Sequence, residues 1–176
     1  MALDATIGGA TADSFGELAA IKARWDDVGY DYSSSNDAEI ERAARRGADA
    51  IEMYRTRFVG QPSSATQRLY FPAVGSDRDG LSLPDGAIPI NVFFAQCEAA
   101  FRELITPNCL TPDVVLAGSS GQLKRRKVGQ IEREFFQAKD ASDIIPTLTS
   151  VENLLARYLN PAPEELGEVR IRAIGC

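Results

Sequence analysis

Apolar residues recur at helical spacing in four segments of the 176-residue chain. These segments predict helices over residues 17–28, 37–58, 89–104 and 148–159. The second has the longest apolar stripe, and its small residues would let a neighbouring helix approach closely. The third is apolar on two faces, which is typical of a central helix. The four stripes are sufficient to form a common core.

Capping residues support the first two helices. Gly29 follows the first stripe, where a C-terminal cap glycine belongs, and Ser14 precedes it as a candidate N-cap. Asn36 is followed three residues later by Glu39, which indicates a capping box at the start of the second helix.

Alternation of apolar and charged residues predicts a small amount of β structure. Residues 123–136 are predicted to form two short strands about Gly129, a β-hairpin. The C-terminal segment alternates in the manner of an edge strand that has no partner nearby in the sequence. Its candidate docking residues are Val169, Arg170, Ile171, Arg172, Ala173 and Ile174.

The predicted fold is mainly α: a helical bundle of about four helices with a small β-hairpin, extended loops and a C-terminal tail. We expect one domain spanning residues 1–176. Its parts are a helical core (14–104) with a long loop (60–87), a connector (105–122), the hairpin (123–136), a closing helix (148–160) and an interaction tail (164–176).

The long loop is unusual because it combines many turn-forming residues with an apolar cluster. Leu69, Tyr70 and Phe71 stand side by side in it. The cluster is expected to anchor the loop on its own bundle or on a neighbouring subunit, and these three residues are candidate subunit-contact residues. At least part of Tyr70 or Phe71 should then be buried against protein.

Few residues of the chain are suited to catalysis or to metal binding. The chain has a net charge of -6 and no histidine, so general acid–base catalysis and zinc binding are disfavoured. The run SDRDG at 76–80 resembles the start of a calcium loop, but the twelfth position from Asp77 is Ile88, so an Asp-Gly turn is predicted instead. Cys97 is predicted to be a core residue. We expect no catalytic residue, cofactor, metal or membrane span.

The basic run of Lys124, Arg125, Arg126 and Lys127 admits three interpretations. It could contact a phosphate backbone, because local cations bind polyanions even on acidic proteins. It could be an interface strand that meets an acidic partner. It could also be a solvated strand edge whose charges prevent association.

Several motifs, in order, resemble one known family, the head–tail connectors (adaptor or head-completion proteins) of tailed phages. Relatives are often labelled "putative DnaT-like single-stranded-DNA-binding protein". Phe71 stands where members commonly have tryptophan. The motifs are F-x-G-Q-P at 58–62, T-Q-R-L-Y-F-P at 66–72, DRDG at 77–80, IP at 88–89 and LKRRKVGQIEREFF at 123–136.

The resemblance implies a structural protein of the virion neck, assembled in the bacterial host cytoplasm. Such adaptors form a ring, usually twelve-fold, beneath the portal protein and carry the next neck or tail-terminator protein. They extend the channel through which genomic DNA passes without specific binding. The resemblance implies that the tail docks on the portal. The alternative function is single-stranded-DNA binding by residues 124–127, with base stacking on Phe135 or Phe136.

Overall fold

The computed structural model describes residues 2–110 and 148–161, and the backbone of two strands at 125–128 and 131–134. The chain divides into two compact units, one of residues 1–110 and 148–176 and the other of residues 111–147. The first, the helical unit, contains α1 (Leu18–Val28), α2 (Asp37–Glu52), α3 (Ile90–Ile105) and α4 (Thr149–Leu155). The second, the hairpin unit, contains a two-stranded sheet. The mainly helical fold with a small hairpin is confirmed.

α3 is the central helix, as its two apolar faces predicted. Val92, Ala95 and Ala99 on one face join the larger hydrophobic cluster, together with residues from α2, α4 and the long loop. Cys97 and Ala100 on another face join a smaller cluster built around the fully buried Trp25 of α1. α3 therefore holds both halves of the core together.

α2 packs closely on α3 because it carries a glycine where the two backbones meet. A Cβ atom on Gly47 would lie 2.9 Å from both the backbone nitrogen of Ala100 and the carbonyl oxygen of Gln96. Gln96, itself fully buried, donates to the carbonyl oxygen of Ala44 at 3.0 Å. The small residues of the α2 stripe thus have the role that the sequence predicted.

The predicted caps have mixed outcomes. Gly29 ends α1 in the left-handed conformation, with φ of 75°, and the Asn36–Glu39 capping box is present at the start of α2. The N-cap prediction for Ser14 is wrong, because α1 begins after Glu17. The Ser14 hydroxyl instead donates to the carbonyl oxygen of Gly16 at 2.6 Å and accepts from the Gln96 side chain at 2.8 Å.

α2 ends at Glu52, six residues before the predicted end at residue 58. From there the backbone continues in tight turns, with N–H groups bonded three residues back, as Arg55 to Glu52 and Arg57 to Tyr54. This change of direction brings Phe58, which is 5% exposed, into the larger cluster. The predicted stripe was correct about burial but wrong about helical geometry at this end.

The predicted closing helix is a short α-helix followed by a 3-10 turn. α4 stops at Leu155 and a 3-10 turn follows over Ala156–Tyr158. The chain then runs antiparallel to the end of the α2 turn, where Phe58 and Leu159 form an isolated bridge. Backbone hydrogen bonds from Val59 to Tyr158 (2.9 Å) and from Asn160 to Arg57 (2.7 Å) flank it.

The long loop contains extended structure that the sequence did not predict. β1 (Gln61–Pro62) pairs antiparallel with β2 (Ala73–Val74), and Ser76 bridges Ser82. In the hairpin unit, β3 (Arg125–Val128) pairs antiparallel with β4 (Ile131–Glu134), which confirms the predicted hairpin about Gly129. No helix within the described ranges is long and apolar enough to cross a bilayer.

Candidate functional site

The three apolar loop residues are buried in the core of their own chain. Leu69, Tyr70 and Phe71 are 3%, 6% and 1% exposed, and all three belong to the larger hydrophobic cluster. The expectation that part of Tyr70 or Phe71 is buried against protein is confirmed. Their surface is almost entirely used within the subunit, so they anchor the loop and leave little area for contact with a neighbour.

Gln67 organises the loop around this cluster. Its side-chain nitrogen donates to the carbonyl oxygens of Leu69 (2.8 Å), Tyr70 (2.7 Å) and Pro72 (2.9 Å). Its side-chain oxygen accepts from the backbone N–H of Ser64 at 2.9 Å. A buried backbone group without a partner is costly, and this 6%-exposed carboxamide shares its two N–H groups among three buried carbonyl oxygens and also pairs with one partly buried N–H.

The next residues of the motif tie the loop to the N-terminal segment and to α2. The Arg68 guanidinium donates to the carbonyl oxygen of Ala12 (3.0 Å) and to Asp49 (2.8 Å). The Tyr70 N–H donates to a Glu52 carboxylate oxygen at 2.7 Å, and its hydroxyl donates to the carbonyl oxygen of Gly60 at 2.8 Å. The side chains of Gln67, Arg68 and Tyr70 thus all hold the loop to the rest of the helical unit or to itself.

The Asp77–Gly80 segment is held against the closing 3-10 turn. One carboxylate oxygen of Asp77 accepts from the N–H groups of Asp79 (3.0 Å) and Leu81 (2.9 Å), which forms an Asp turn. Its other oxygen lies 2.5 Å from Nε of Arg157. The predicted turn is confirmed, and no group of three metal-binding side chains occurs in the part of the chain that the structure describes.

The surface of the helical unit has one groove with several arginines. Its volume is about 640 Å³, and it lies between the start of α2 and the end of α3. Arg45 pairs with Asp13 at 2.6 Å, and Arg46 pairs with the buried Glu103. Arg42 is exposed and makes no ion pair with any described residue. The lining residues include Ser34, Ser35, Glu39, Arg42, Arg46 and Pro107.

Glu103, which is 3% exposed, closes the turn that follows α3. Its carboxylate accepts from the N–H groups of Asn108 (2.8 Å) and Leu110 (3.4 Å) and from Arg46. Burial alone would raise the pKa of Glu103, but the Asn108 hydrogen bond and the Arg46 guanidinium outweigh it and lower the pKa. An ionised Glu103 therefore holds residues 106–110, the last described residues before the hairpin unit.

We expect Glu103→Gln to destabilise the protein by about 1–3 kcal/mol at pH 7, because a charge-assisted network loses its acceptor. Because the folded-state pKa is lowered, the carboxylate's contribution is present above pH 4.5 and is lost as the pH falls through the lowered value. The difference in unfolding free energy between wild type and variant should therefore narrow below pH 4.5.

Urea unfolding from pH 7 down to about pH 2 measures this effect. Glu17→Gln removes the same charge from an exposed position and serves as the control. A difference between wild type and Glu103→Gln that stays constant across this range would contradict the account of Glu103.

Both described cysteines have a thiol whose pKa is raised. Cys97 is 1% exposed, and burial raises the pKa of its thiol to about 12. Burial also raises the pKa of the Cys109 thiol, which lies 3.9 Å from the Glu103 carboxylate. A thiolate is the reactive form, so the raised pKa disfavours reaction at both thiols, and Cys97 is the core residue that the sequence predicted.

The basic run falls partly within the hairpin. Arg125, Arg126 and Lys127 lie in β3, and their register partners are Glu134, Arg133 and Glu132. Lys124 lies outside the described residues, as do the tail residues Val169, Arg170, Ile171, Arg172, Ala173 and Ile174. The structure thus brings the loop residues to the core of the helical unit and the basic residues to the separate hairpin unit.

Three buried polar residues that organise the fold were not identified from the sequence: Gln67, Gln96 and Glu103. Pattern analysis treats Gln and Glu as surface residues, so their burial has no periodic signal. The available signal was local, since Gln67 stands directly before the apolar cluster and Gln96 lies within the most apolar helix. A buried amide or carboxylate at such a place indicates backbone groups in need of partners.

A comparison with known protein families identifies the family of this chain. A family model described as "Putative DnaT-like ssDNA binding protein" matches residues 1–173. The chain belongs to this family. The match covers both the helical unit and the hairpin unit. Neither the curated proteins nor the solved structures include a significant match to the chain.

Proposed function

We propose that this protein is a structural head–tail connector of a tailed phage. In this role it forms a ring beneath the portal, lengthens the DNA channel and carries the next neck or tail protein. The observation that carries the proposal is the division into a helical unit and a hairpin unit. A head-to-tail ring needs two unlike contact surfaces on each subunit, and a chain of two compact units is compatible with that requirement.

The organisation of the long loop supports the same proposal. Its motif residues are used to build the subunit, through the Gln67 carboxamide and the buried Phe71 ring. The motif residues of the loop then serve to fix the shape of the subunit, and an assembly protein needs such a fixed shape. The net charge of -6 suits a channel through which DNA must slide, because a like-charged wall releases few counterions and binds DNA weakly.

Electron microscopy of assembled particles tests the proposal. We expect a ring of this protein between the portal and the tail, and heads that lack it should lose DNA or fail to join tails. A variant truncated after Pro163 should fold and yet fail to join portal-bearing heads if the tail docks there. Particles whose neck contains no copy of the protein would overturn the connector function.

The second candidate function is single-stranded-DNA binding, which the description of the family favours. The groove beside α2 gives it a specific location in the helical unit, because the exposed Arg42 has no carboxylate partner among the described residues. Two serines at the groove edge, Ser34 and Ser35, could donate to phosphate oxygens. The basic run at 124–127 is the other location.

Fluorescence anisotropy with a labelled oligothymidine distinguishes the two functions. A single-stranded-DNA-binding protein should bind at low salt, with an affinity that falls steeply as salt rises. Arg42→Gln should weaken this binding if the groove is used, whereas Arg78→Gln, at an exposed position outside the groove, is the matched control. An absence of binding at low salt removes the candidate.

A further inference from the structure

The groove beside α2 contains a cation that no described carboxylate neutralises. Arg42 and Arg46 stand four residues apart on α2, so they share one face of the helix, and like charges at this spacing disfavour it. Arg46 has the buried Glu103 as its partner, whereas the exposed Arg42 side chain has no ion pair or hydrogen bond with any described residue. An acidic ligand would therefore balance a charge that the helical unit leaves unbalanced.

The two carboxylates that line the groove are already engaged elsewhere. Glu39 accepts from the backbone N–H of Asn36 at 2.9 Å, within the capping box. Glu103 accepts from the backbone N–H of Asn108 at 2.8 Å and pairs with Arg46. Both carboxylates thus have structural roles, and the charge of Arg42 is available to a ligand.

The groove also has an apolar lining, formed by Ala43, the half-buried Leu104 and the exposed Pro107. No aromatic side chain is among the described residues that line it, so a nucleic-acid base would find no ring on which to stack. Arginine next to apolar side chains is typical of protein interfaces. The groove therefore fits an acidic peptide with an aliphatic side chain better than it fits a nucleic acid.

The chain has a segment of this chemistry directly after the described residues of the helical unit. Residues 162–168 contain three glutamates, one leucine and no lysine or arginine. The described part of this unit ends at Pro161, just after Asn160 donates to the carbonyl oxygen of Arg57 at 2.7 Å. This exit lies beside the turns that follow α2, whereas the groove lies at the start of α2, which has 16 residues and is about 24 Å long.

We infer that the groove of one copy binds the acidic segment, residues 164–168, of a neighbouring copy. A glutamate of the acidic segment would pair with Arg42, and Leu166 would contact Leu104. This inference rests on the proposed connector function and names one contact between neighbouring subunits. A segment that leaves at one end of α2 and a groove at the other end give a head-to-tail contact, which is the arrangement that closes a ring.

Charge reversal on each side of the contact tests the inference. Arg42→Glu reverses the groove, and Glu164→Lys with Glu165→Lys reverses the acidic segment. Arg78→Glu makes the same change as Arg42→Glu at an exposed position outside the groove and is the control. Sedimentation of the full-length proteins at low ionic strength measures self-association, and circular dichroism checks that each variant is folded.

We expect the groove variant and the segment variant each to weaken self-association about tenfold or more, and Arg78→Glu to change it less than about threefold. An equimolar mixture of the groove variant and the segment variant should associate more strongly than either alone, because the reversed groove then meets the reversed segment of the other copy. Added salt should weaken the self-association of the wild type.

Three results would overturn the inference. The first is a wild type that stays monomeric at low ionic strength, and the second is an effect of Arg42→Glu no larger than that of Arg78→Glu. The third is a mixture that associates no better than its separate components, since the groove and the acidic segment would then not meet between copies. Loss of oligothymidine binding in Arg42→Glu, with self-association intact, would assign the groove to nucleic acid instead.

The outcome is separable from that of the connector proposal. If particles contain the ring and Arg42→Glu self-associates as the wild type does, the connector function stands and this contact is wrong. If the mixture restores self-association but particles lack the protein at the neck, the contact stands and the connector function is wrong.

Discussion

Replacing Gln67 by leucine is expected to destabilise the protein by about 3–5 kcal/mol. The substitution keeps a side chain of similar size but leaves four backbone groups without the carboxamide that now pairs with them. Each buried backbone group that loses its partner costs about 1–3 kcal/mol, and Pro72 retains a second hydrogen bond from Ser63. A loss of this size is a large fraction of the stability of an ordinary domain.

Gln61→Leu is the matched control, because it makes the same change at an exposed position of the same loop. Urea unfolding followed by the fluorescence of Trp25, the only tryptophan, measures the effect on the α1 side of the core. Limited proteolysis within residues 60–89 measures the effect of the substitution on the long loop. If Gln67→Leu and Gln61→Leu differ by less than about 1 kcal/mol, the organising role of Gln67 is wrong.

The second large effect is expected from Gly47→Leu, at about 3 kcal/mol. Even the first atom of the new side chain would lie 2.9 Å from the α3 backbone, so the two helices must separate. Gly47→Ala should cost less, because it forces only one carbon atom against α3, and its gain of about 1 kcal/mol in helix propensity over glycine offsets part of that clash. The order of stability should therefore be glycine, then alanine, then leucine.

Ala38→Leu on the exposed side of α2 adds a leucine without a helix neighbour and controls for the substitution itself. We expect it to change the unfolding free energy by less than about 0.5 kcal/mol. Thermal unfolding of the wild type, Gly47→Ala, Gly47→Leu and Ala38→Leu compares their stabilities in one experiment. A Gly47→Leu protein as stable as the wild type would show that α2 and α3 can separate without loss.

Helix positions were predictable from the sequence where a stripe and a chain-breaking residue coincide. α1 ends at the residue before Gly29, and α3 begins directly after Pro89, within one residue of each prediction. α2 was predicted too long because Tyr54 and Phe58 continue the apolar spacing after helical hydrogen bonding has stopped. Spacing records which side chains are buried, and several backbone paths can bury the same side chains.

The interior of the long loop was not predictable in the same way. The apolar cluster at Leu69–Phe71 indicated burial, but the sequence left open whether its own bundle or a neighbour covers it. The answer depends on distant residues such as Tyr158, whose ring lies 5.9 Å from that of Phe71. The role of Gln67 depends on four backbone groups whose positions exist only in the folded loop.

The hydrogen bonds around the closing 3-10 turn have a mechanical consequence. Residues 157–160 are bonded by backbone groups of Arg57 and Val59 on one side and of Arg78 on the other. We expect a pull on the chain beyond Pro161 to act on all three of these bonds, which join residues 157–160 to two separate loops of the helical unit.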